Sequence, residues 1–291
     1  MKEFPPCPPV AEAPSALFER GHLWLHELVD GAPVRFQARA DGRLRFGDGV
    51  RTFGDDVPPA YAHVARHVRE RFDRGALREA VDDVESVVFF GYAMHRRGVD
   101  YDWETTPSFL GSDVWSDSSE YLLPDRVEKI YRRLGLDPLP TLAAEVRAAD
   151  FDPDSYAFPA STWYDGPVAG VLLRNKTGLR ASLDNPAVGD TGDTDAERTA
   201  LTDPDGEAPA AESPAEAFAR RHATAGRFAA VAERIRAEGR PVTFDTLYER
   251  TVAAIIRAHH DRLFGGRGEF DLRAFRSAVA ERTQSYLADR E

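Results

Sequence analysis

One segment with little capacity to form a hydrophobic core divides the chain in two. Residues 184–212 consist mainly of Asp, Glu, Gly, Pro, Thr and Ala, and Arg198 is their only basic residue. Such a composition buries too little apolar surface to offset the entropy lost on ordering, so it predicts a flexible acidic linker, bounded at 185–212. The flanking segments, 15–184 and 213–291, are therefore expected to build separate cores.

The N-terminal segment has the pattern of a strand-rich domain. Short apolar runs separated by three Asp-Gly turn signals predict an antiparallel meander over 22–54. A helix with Val64 and Val68 on its buried face is expected between 58 and 75, and another over 124–134. Apolar runs predict strands at 86–94 and 109–115, followed by a strand pair within 168–183. The predicted fold class is α+β.

The C-terminal segment has the pattern of a small helical domain. Ser213 and Glu216 form a predicted capping box, and Gly239 ends a helix of about 25 residues. Thr243 and Asp271 are expected to cap two further amphipathic helices. We therefore predict a three-helix domain at 213–291.

Charge and composition restrict the chemistry of the chain. It has 49 acidic and 37 basic residues, a net charge of −12, and its only lysines are Lys2, Lys129 and Lys176. An arginine bias beside an acidic excess is typical of a halophilic, salt-in cytoplasm. The sequence has neither a membrane span nor a signal peptide, which predicts a cytoplasmic protein. Cys7, the only cysteine, lies between prolines in a predicted exposed arm and excludes an internal disulfide.

Four blocks of sequence resemble, in order and spacing, the nucleotidyltransferase motifs of the ATP-dependent RNA ligase family. They are WLHELVDGAPVRF (24–36), FFGYAM (89–94), FLGSDVW (109–115) and STWYDGPVAGVLLRNKTGLRASL (161–183). The resemblance covers roughly residues 20–185. It implies two antiparallel sheets around a nucleotide pocket. It also implies a lysine that attacks the α-phosphate of ATP, after which AMP passes to the 5′-phosphate of an RNA.

The chain departs from the family pattern at four positions that carry this chemistry. Leu28 stands where the family has its nucleophilic lysine, and Ser182 stands where a lysine follows the Arg-Ala pair. Tyr92 and Ala169 occupy the positions of two pocket glutamates. Leucine cannot form a phosphoramidate, and alanine cannot hold a metal-bound water, so no catalytic residue and no metal ligand is assigned.

Seven positions keep residues that suit a residual nucleotide or phosphate pocket. ATP and magnesium are expected only if this pocket is retained. For Asp30 and Gly31 the alternative is an ordinary turn, and for the residues at 174–180 it is a solvated strand and turn. Lys176 is a poor substitute nucleophile, because nothing nearby in the sequence is expected to lower its pKa. The seven residues are Asp30, Gly31, Arg35, Asp113, Arg174, Lys176 and Arg180.

These observations leave three hypotheses for function. The first is a pseudoenzyme of the RNA ligase family that binds RNA or a protein partner. The second is an active ATP-dependent RNA ligase with rearranged catalysis. The third is a structural partner of an active ligase paralogue that docks through a stripe of Tyr248, Val252 and Ile256.

Two further groups of side chains have alternative interpretations. His63 and His67 share the spacing of a two-histidine metal site, but their polar neighbours favour a solvated helix face. Arginines on the two predicted helices could contact RNA, although ion pairs on the helix surface are the commoner use. These arginines are Arg66, Arg69, Arg71, Arg74, Arg132 and Arg133.

Overall fold

The computed structural model describes residues 1–188, 213–265 and 270–290. The chain divides into two compact units, Met1–Thr191 and Gly192–Glu291. Most of the predicted linker, residues 189–212, lies outside the described residues. Asn185, the first residue of the predicted linker, has a buried side chain that donates a hydrogen bond to the carbonyl of Val168 at 2.8 Å.

The first unit contains two antiparallel sheets, which confirms the predicted α+β class. Sheet A has the strand order β7-β1-β8-β9, and sheet B has the order β3-β2-β4-β5-β6. The strands of sheet A are β1 (His22–Leu28), β7 (Thr141–Arg147), β8 (Gly170–Asn175) and β9 (Arg180–Asp184). The strands of sheet B are β2 (Ala32–Ala38), β3 (Leu44–Asp48), β4 (Val87–Ala93), β5 (Phe109–Ser116) and β6 (Glu120–Tyr121).

The predicted meander over 22–54 is only half correct. Strands β2 and β3 pair with each other, but β1 pairs with β7 and β8 in the other sheet. The Asp30-Gly31 step is therefore a crossover between sheets. A Cβ at Gly31 would lie 3.0 Å from Cβ of Tyr92, so a larger residue there would require its neighbours to shift. Strand β7 was not predicted, because its sequence, TLAAEVR, lacks a clear alternation of apolar and polar residues.

Helices cover one face of sheet B and form the main core with it. The described helices of the first unit are α1 (Ala16–Glu19), α2 (Ala62–Arg71), α3 (Arg74–Ala80) and α4 (Pro124–Arg133). Val64 and Val68, on the predicted apolar face of α2, are fully buried against Phe36 and Phe89 of the sheet. A second, smaller core lies on one face of sheet A and includes Leu23, Leu25 and Leu173.

A bulge in β5 decides which residues face sheet A. The pairing of β4 with β5 shifts between Phe90 and Gly91, which leaves Ser112 as an extra residue. Without the shift, Phe109 and Val114 would lie on opposite faces, because side chains alternate along a strand. Both are buried in the helix-covered core, and Asp113 consequently lies on the other face.

Tyr131 of α4 secures this bulge. Its fully buried hydroxyl accepts a hydrogen bond from the amide of Phe90 at 3.1 Å. The same hydroxyl lies 2.6 Å from the carbonyl of Phe90 and 2.8 Å from that of Asp113. Gly111 gives the ring its space, since a Cβ at that position would lie 2.4 Å from it.

The second unit is helical, as predicted, but the helix expected from residue 213 to 239 is two helices. It breaks after His222, and the side chain of Thr224 caps the next helix by accepting a hydrogen bond from the amide of Arg227. The described helices of this unit are α5 (Pro214–His222), α6 (Ala225–Ala237), α7 (Phe244–Ala258), α8 (His260–Phe264) and α9 (Leu272–Ala288).

The stripe predicted to dock a ligase paralogue packs inside this unit. Val252 and Ile256 are each 3% exposed, and Tyr248 packs against the same core. The docking prediction is wrong, because the helix needs these side chains for its own packing. None of the described helices is long and apolar enough to span a membrane.

Replacing Tyr131 with phenylalanine is expected to destabilise the first unit by about 1–3 kcal/mol, because the buried amide of Phe90 loses its acceptor. The chain's four tryptophans all lie in this unit, so urea unfolding followed by tryptophan fluorescence measures its stability. Tyr156→Phe is the matched control and should leave stability unchanged. Equal stability of Tyr131→Phe and the native protein would contradict the assigned role.

Candidate functional site

A buried ion cluster joins the two sheets. Oδ1 of Asp113, on β5, accepts hydrogen bonds from Nη1 of Arg174 at 3.1 Å and from Nη1 of Arg180 at 2.9 Å. The two arginines come from β8 and β9, and the side chains of all three residues are at most 8% exposed. Arg174 also donates to the carbonyl of Ser112 in the bulge. The predicted solvated strand is therefore wrong for Arg174 and Arg180.

His26 of β1 extends the cluster. Its Nε2 lies 2.8 Å from Nη2 of Arg174, and its Nδ1 lies 3.3 Å from Oγ1 of Thr141. Because a guanidinium can only donate, Nε2 must accept, and the ring proton lies on Nδ1. Sequence analysis missed His26, since a histidine inside an apolar strand looks like an ordinary core residue.

The electrostatics of the cluster reflect burial and the attraction between Asp113 and its two arginines. Burial alone would raise the pKa of Asp113, but the charges of Arg174 and Arg180 outweigh burial and lower it. Burial lowers the pKa of Arg174, and Asp113 opposes that shift. Burial, followed by the charge of Arg174, lowers the pKa of His26 well below 6.5. At neutral pH the cluster thus holds two cations, one carboxylate and a neutral imidazole.

The N-terminal arm lies against both sheets beside this cluster. On sheet B, the ring of Phe4 packs edge-on to Phe90 at 5.0 Å, and the hydroxyl of Tyr121 donates to the carbonyl of Glu3 at 2.6 Å. On sheet A, the amide of Ser182 donates to the carbonyl of Pro8 at 2.9 Å. The stretch around Cys7 was predicted to be exposed, and Cys7 is exposed. The ring of Phe4, which precedes that stretch, is half-buried and covers part of the sheet.

Arg35 connects the arm to sheet B. It is 3% exposed and donates from Nη1 to the carbonyl of Lys2 at 2.7 Å. Arg180 lies over the ring of Tyr121 at 5.5 Å, on the same side of the sheet. The predicted pocket residues Arg35, Asp113, Arg174 and Arg180 therefore do lie in one region, at the inter-sheet face.

The other three predicted pocket residues, Asp30, Gly31 and Lys176, make different contacts. The carboxylate of Asp30 accepts hydrogen bonds from the amides of Gly98 and Val99, both at 2.8 Å, so it orders the loop after β4. Gly31 lies at the crossover between the sheets, where the backbone packs closely against Tyr92. Lys176 lies on the β8–β9 turn, where its Nζ is 4.8 Å from the centre of the Trp24 ring and 3.7 Å from Oε1 of Glu145.

The four positions that depart from the family pattern lie around the same face. Leu28 ends β1 and packs beside Gly170, next to Ala169 in the chain. Burial raises the pKa of Tyr92, and the nearby charge of Asp113 adds to the shift. Ser182 holds the arm through its amide. Leucine and alanine thus supply apolar surface where the family chemistry requires an amine and a carboxylate.

The prediction of a solvated helix face on α2 is wrong for His63. His63 is 3% exposed, and its Nε2 lies 3.1 Å from Nδ1 of His95. No group of three or more metal-ligating side chains occurs within the described ranges 1–188, 213–265 and 270–290.

Replacing Asp113 with alanine is expected to destabilise the first unit by about 3–5 kcal/mol, because two buried guanidinium groups lose their counter-charge. Asp150→Ala, which removes an exposed pair with Arg147, is the matched control and should cost less than about 0.5 kcal/mol. Tryptophan fluorescence in urea measures both variants. Similar losses in the two variants would contradict the importance of the cluster.

The low pKa of His26 predicts a pH dependence of stability. Below about pH 6.5 an unfolded histidine binds a proton that folded His26 does not, so the free energy of unfolding falls as the pH falls, by at most about 1.4 kcal/mol per pH unit. In His26→Gln this fall should be smaller. His22→Gln, at the exposed start of β1, should behave like the native protein. An identical pH profile for His26→Gln would refute the neutral buried imidazole.

Comparisons with known proteins bear on the fold. No protein-family model matches the chain, and no curated protein matches its sequence. Among solved structures, an RNA ligase of Naegleria gruberi, in a variant with ATP and Mn, aligns with 64% of this chain and 57% of its own at 14% identity, with a TM-score of 0.50. A second variant of that ligase, also with ATP and Mn, gives 13% identity and a TM-score of 0.51 over the same shares.

An archaeal ATP-dependent RNA ligase aligns with 90% of this chain and 65% of its own at 17% identity, but its TM-score is only 0.46. This chain spans less than two thirds of the length of each of these ligases. Identities this low establish a shared architecture and leave activity open. Over about two thirds of its length, this chain shares the fold of the Naegleria gruberi RNA ligase.

Proposed function

We propose that this protein is an RNA-binding pseudoenzyme with the fold of an RNA ligase that no longer forms a lysyl-adenylate. The observation that carries the proposal is Leu28, which ends β1 at the position where the family resemblance puts the nucleophilic lysine. A leucine side chain has no lone pair to attack a phosphate. This loss alone removes the first step of the family reaction.

None of the three lysines is a good substitute. Lys176 is half exposed on a turn and lies near a tryptophan ring and a carboxylate. Lys2 belongs to the N-terminal arm, and its Nζ lies 5.1 Å from the ring centre of Trp115. Lys129 lies on α4, the helix that packs on the far side of sheet B. None of the three lies at the end of β1, where the family resemblance puts the nucleophile.

The inter-sheet face also argues against the family reaction. The guanidinium groups of Arg174 and Arg180 are already paired with Asp113, whereas a phosphate-binding site needs cations that remain available to the ligand. The N-terminal arm occupies neighbouring surface on both sheets. We interpret this face as a structural joint that has replaced a nucleotide pocket.

RNA is a better candidate than a protein partner. The apolar stripe considered for docking is buried in the helical unit, so the main argument for a ligase paralogue is gone. The solved structures of similar fold are RNA ligases, and their ligand class comes to this chain as part of the proposal. The net charge of −12 disfavours RNA globally, but binding depends on the local arrangement of cations.

The proposal predicts no covalent nucleotide. The protein is incubated with α-labelled ATP and a divalent metal in molar KCl and analysed by denaturing electrophoresis, with an active RNA ligase as positive control. We expect a labelled band for the control alone. In parallel, the same preparation should retain labelled single-stranded RNA on a filter, and the retention should weaken as salt rises.

A labelled band for this protein would overturn the pseudoenzyme proposal and favour an active ligase with rearranged catalysis. Variants Lys2→Ala, Lys129→Ala and Lys176→Ala would then identify the nucleophile. Absence of both label and RNA retention would overturn the RNA-binding half of the proposal.

A further inference from the structure

A cavity lined by arginines lies at the end of sheet B that is formed by the β2–β3 turn. It has a volume of about 530 Å³ and lies between the β2–β3 turn and the junction of helices α2 and α3. This is within the range of small-ligand sites and larger than a single phosphate requires. The charged residues that line it are Arg39, Arg43, Arg45, Arg69, Arg74 and Asp55.

One of these arginines fixes the walls of the cavity. Nε of Arg74 donates to the carbonyl of Gly42 in the β2–β3 turn at 3.1 Å, and its Nη1 donates to the carbonyl of Arg69 at 3.2 Å. The side chain of Asp73 caps α3 immediately beside it by accepting from the amide of Ala76 at 2.9 Å. The turn and the helix junction are thus tied together before any ligand arrives.

Two other arginines have no carboxylate partner among the described residues. Arg45 is exposed on β3, and its side chain makes no hydrogen bond or ion pair among the described residues. The guanidinium of Arg69 lies over the ring of Phe46 at 5.3 Å, which holds the side chain while leaving its N–H groups available. Arg39 is only weakly engaged, since its exposed Nε lies 3.7 Å from Oε1 of Glu85.

The lining indicates the kind of ligand. Five arginines and one aspartate, Asp55, line the cavity. Planar guanidinium groups match the geometry of phosphate oxygens. The aromatic side chain that lines the cavity, Phe53, is 5% exposed and offers little surface on which a base could stack. Recognition of phosphates without recognition of bases is the expected result.

We propose that this arginine-lined cavity binds the phosphate backbone of an RNA strand, independently of its sequence. The inference rests on the proposed function, because it names where the RNA is held. The cavity lies at the end of sheet B formed by the β2–β3 turn, and none of its lining residues belongs to the Asp113 ion cluster. RNA binding at this site would therefore be independent of the lost adenylyl transfer.

The test uses the full chain and the double variant Arg45→Glu, Arg69→Glu. Arg20→Glu is the control for charge reversal, because Arg20 is exposed in the same unit before the first strand of sheet A. Fluorescence anisotropy with two single-stranded RNAs of unrelated sequence gives the Kd over a series of KCl concentrations. Tryptophan fluorescence in urea checks that all variants are folded.

We expect the double variant to raise the Kd for both RNAs by at least about tenfold in low salt. The slope of log Kd against log salt concentration should fall by about 1–2. Arg20→Glu should change the Kd by less than about twofold. Inorganic pyrophosphate is added as a competitor to distinguish an RNA strand from a small phosphate ligand. It should compete only weakly, because it spans fewer arginines than a strand.

Three outcomes would overturn the inference. If the native protein and the double variant bind RNA equally, RNA binds elsewhere and the proposed function still stands. If pyrophosphate binds at this cavity and displaces RNA at equal concentration, the ligand is a small phosphate compound. If the native protein binds neither RNA, both this inference and the RNA-binding half of the proposed function fail.

Discussion

The first unit depends on a single buried carboxylate shared by two arginines. Moving Asp113, Arg174 and Arg180 out of water costs several kcal/mol for each charge, and only their mutual attraction and hydrogen bonds offset that cost. The arrangement therefore ties a strand of sheet B to two strands of sheet A in one relative position. Removing Asp113 would leave two buried guanidinium groups without a counter-charge, which is worse than never having buried them.

The bulge in β5 makes this joint possible. A regular strand that placed Phe109 in the helix-covered core would direct Asp113 into the same core, where no cation is available. One extra residue at Ser112 reverses the alternation and turns the carboxylate toward sheet A. Tyr131 satisfies the backbone groups that the bulge frees, so the packing of α4 and the electrostatics between the sheets are parts of one structure.

The same joint sets the inter-sheet face apart from an open catalytic cleft. A catalytic cleft must remain open and keep unpaired charges for its substrate, and such charges destabilise the folded state. Here Leu28 and Ala169 present apolar groups, the arginines are paired, and the N-terminal arm adds contacts with both sheets. These contacts stabilise the fold at this face, and Arg45 and Arg69 of the arginine-lined cavity, which have no carboxylate partner among the described residues, lie apart from it.

The sequence by itself determined several local elements, namely strands β4 and β5 and helix α4. It also determined the separation of a strand-rich unit from a helical one. It also showed that leucine, Leu28, stands where the family resemblance expects the nucleophilic lysine. Apolar periodicity and turn residues act over a few neighbours, so such features can be recognised without a fold. The tertiary structure alone decided that β1 leaves β2 for the other sheet, that Arg174 and Arg180 are buried rather than solvated, and that His26 joins them. These outcomes depend on contacts between residues 60 or more positions apart and on the desolvation that accompanies them, which no local pattern encodes.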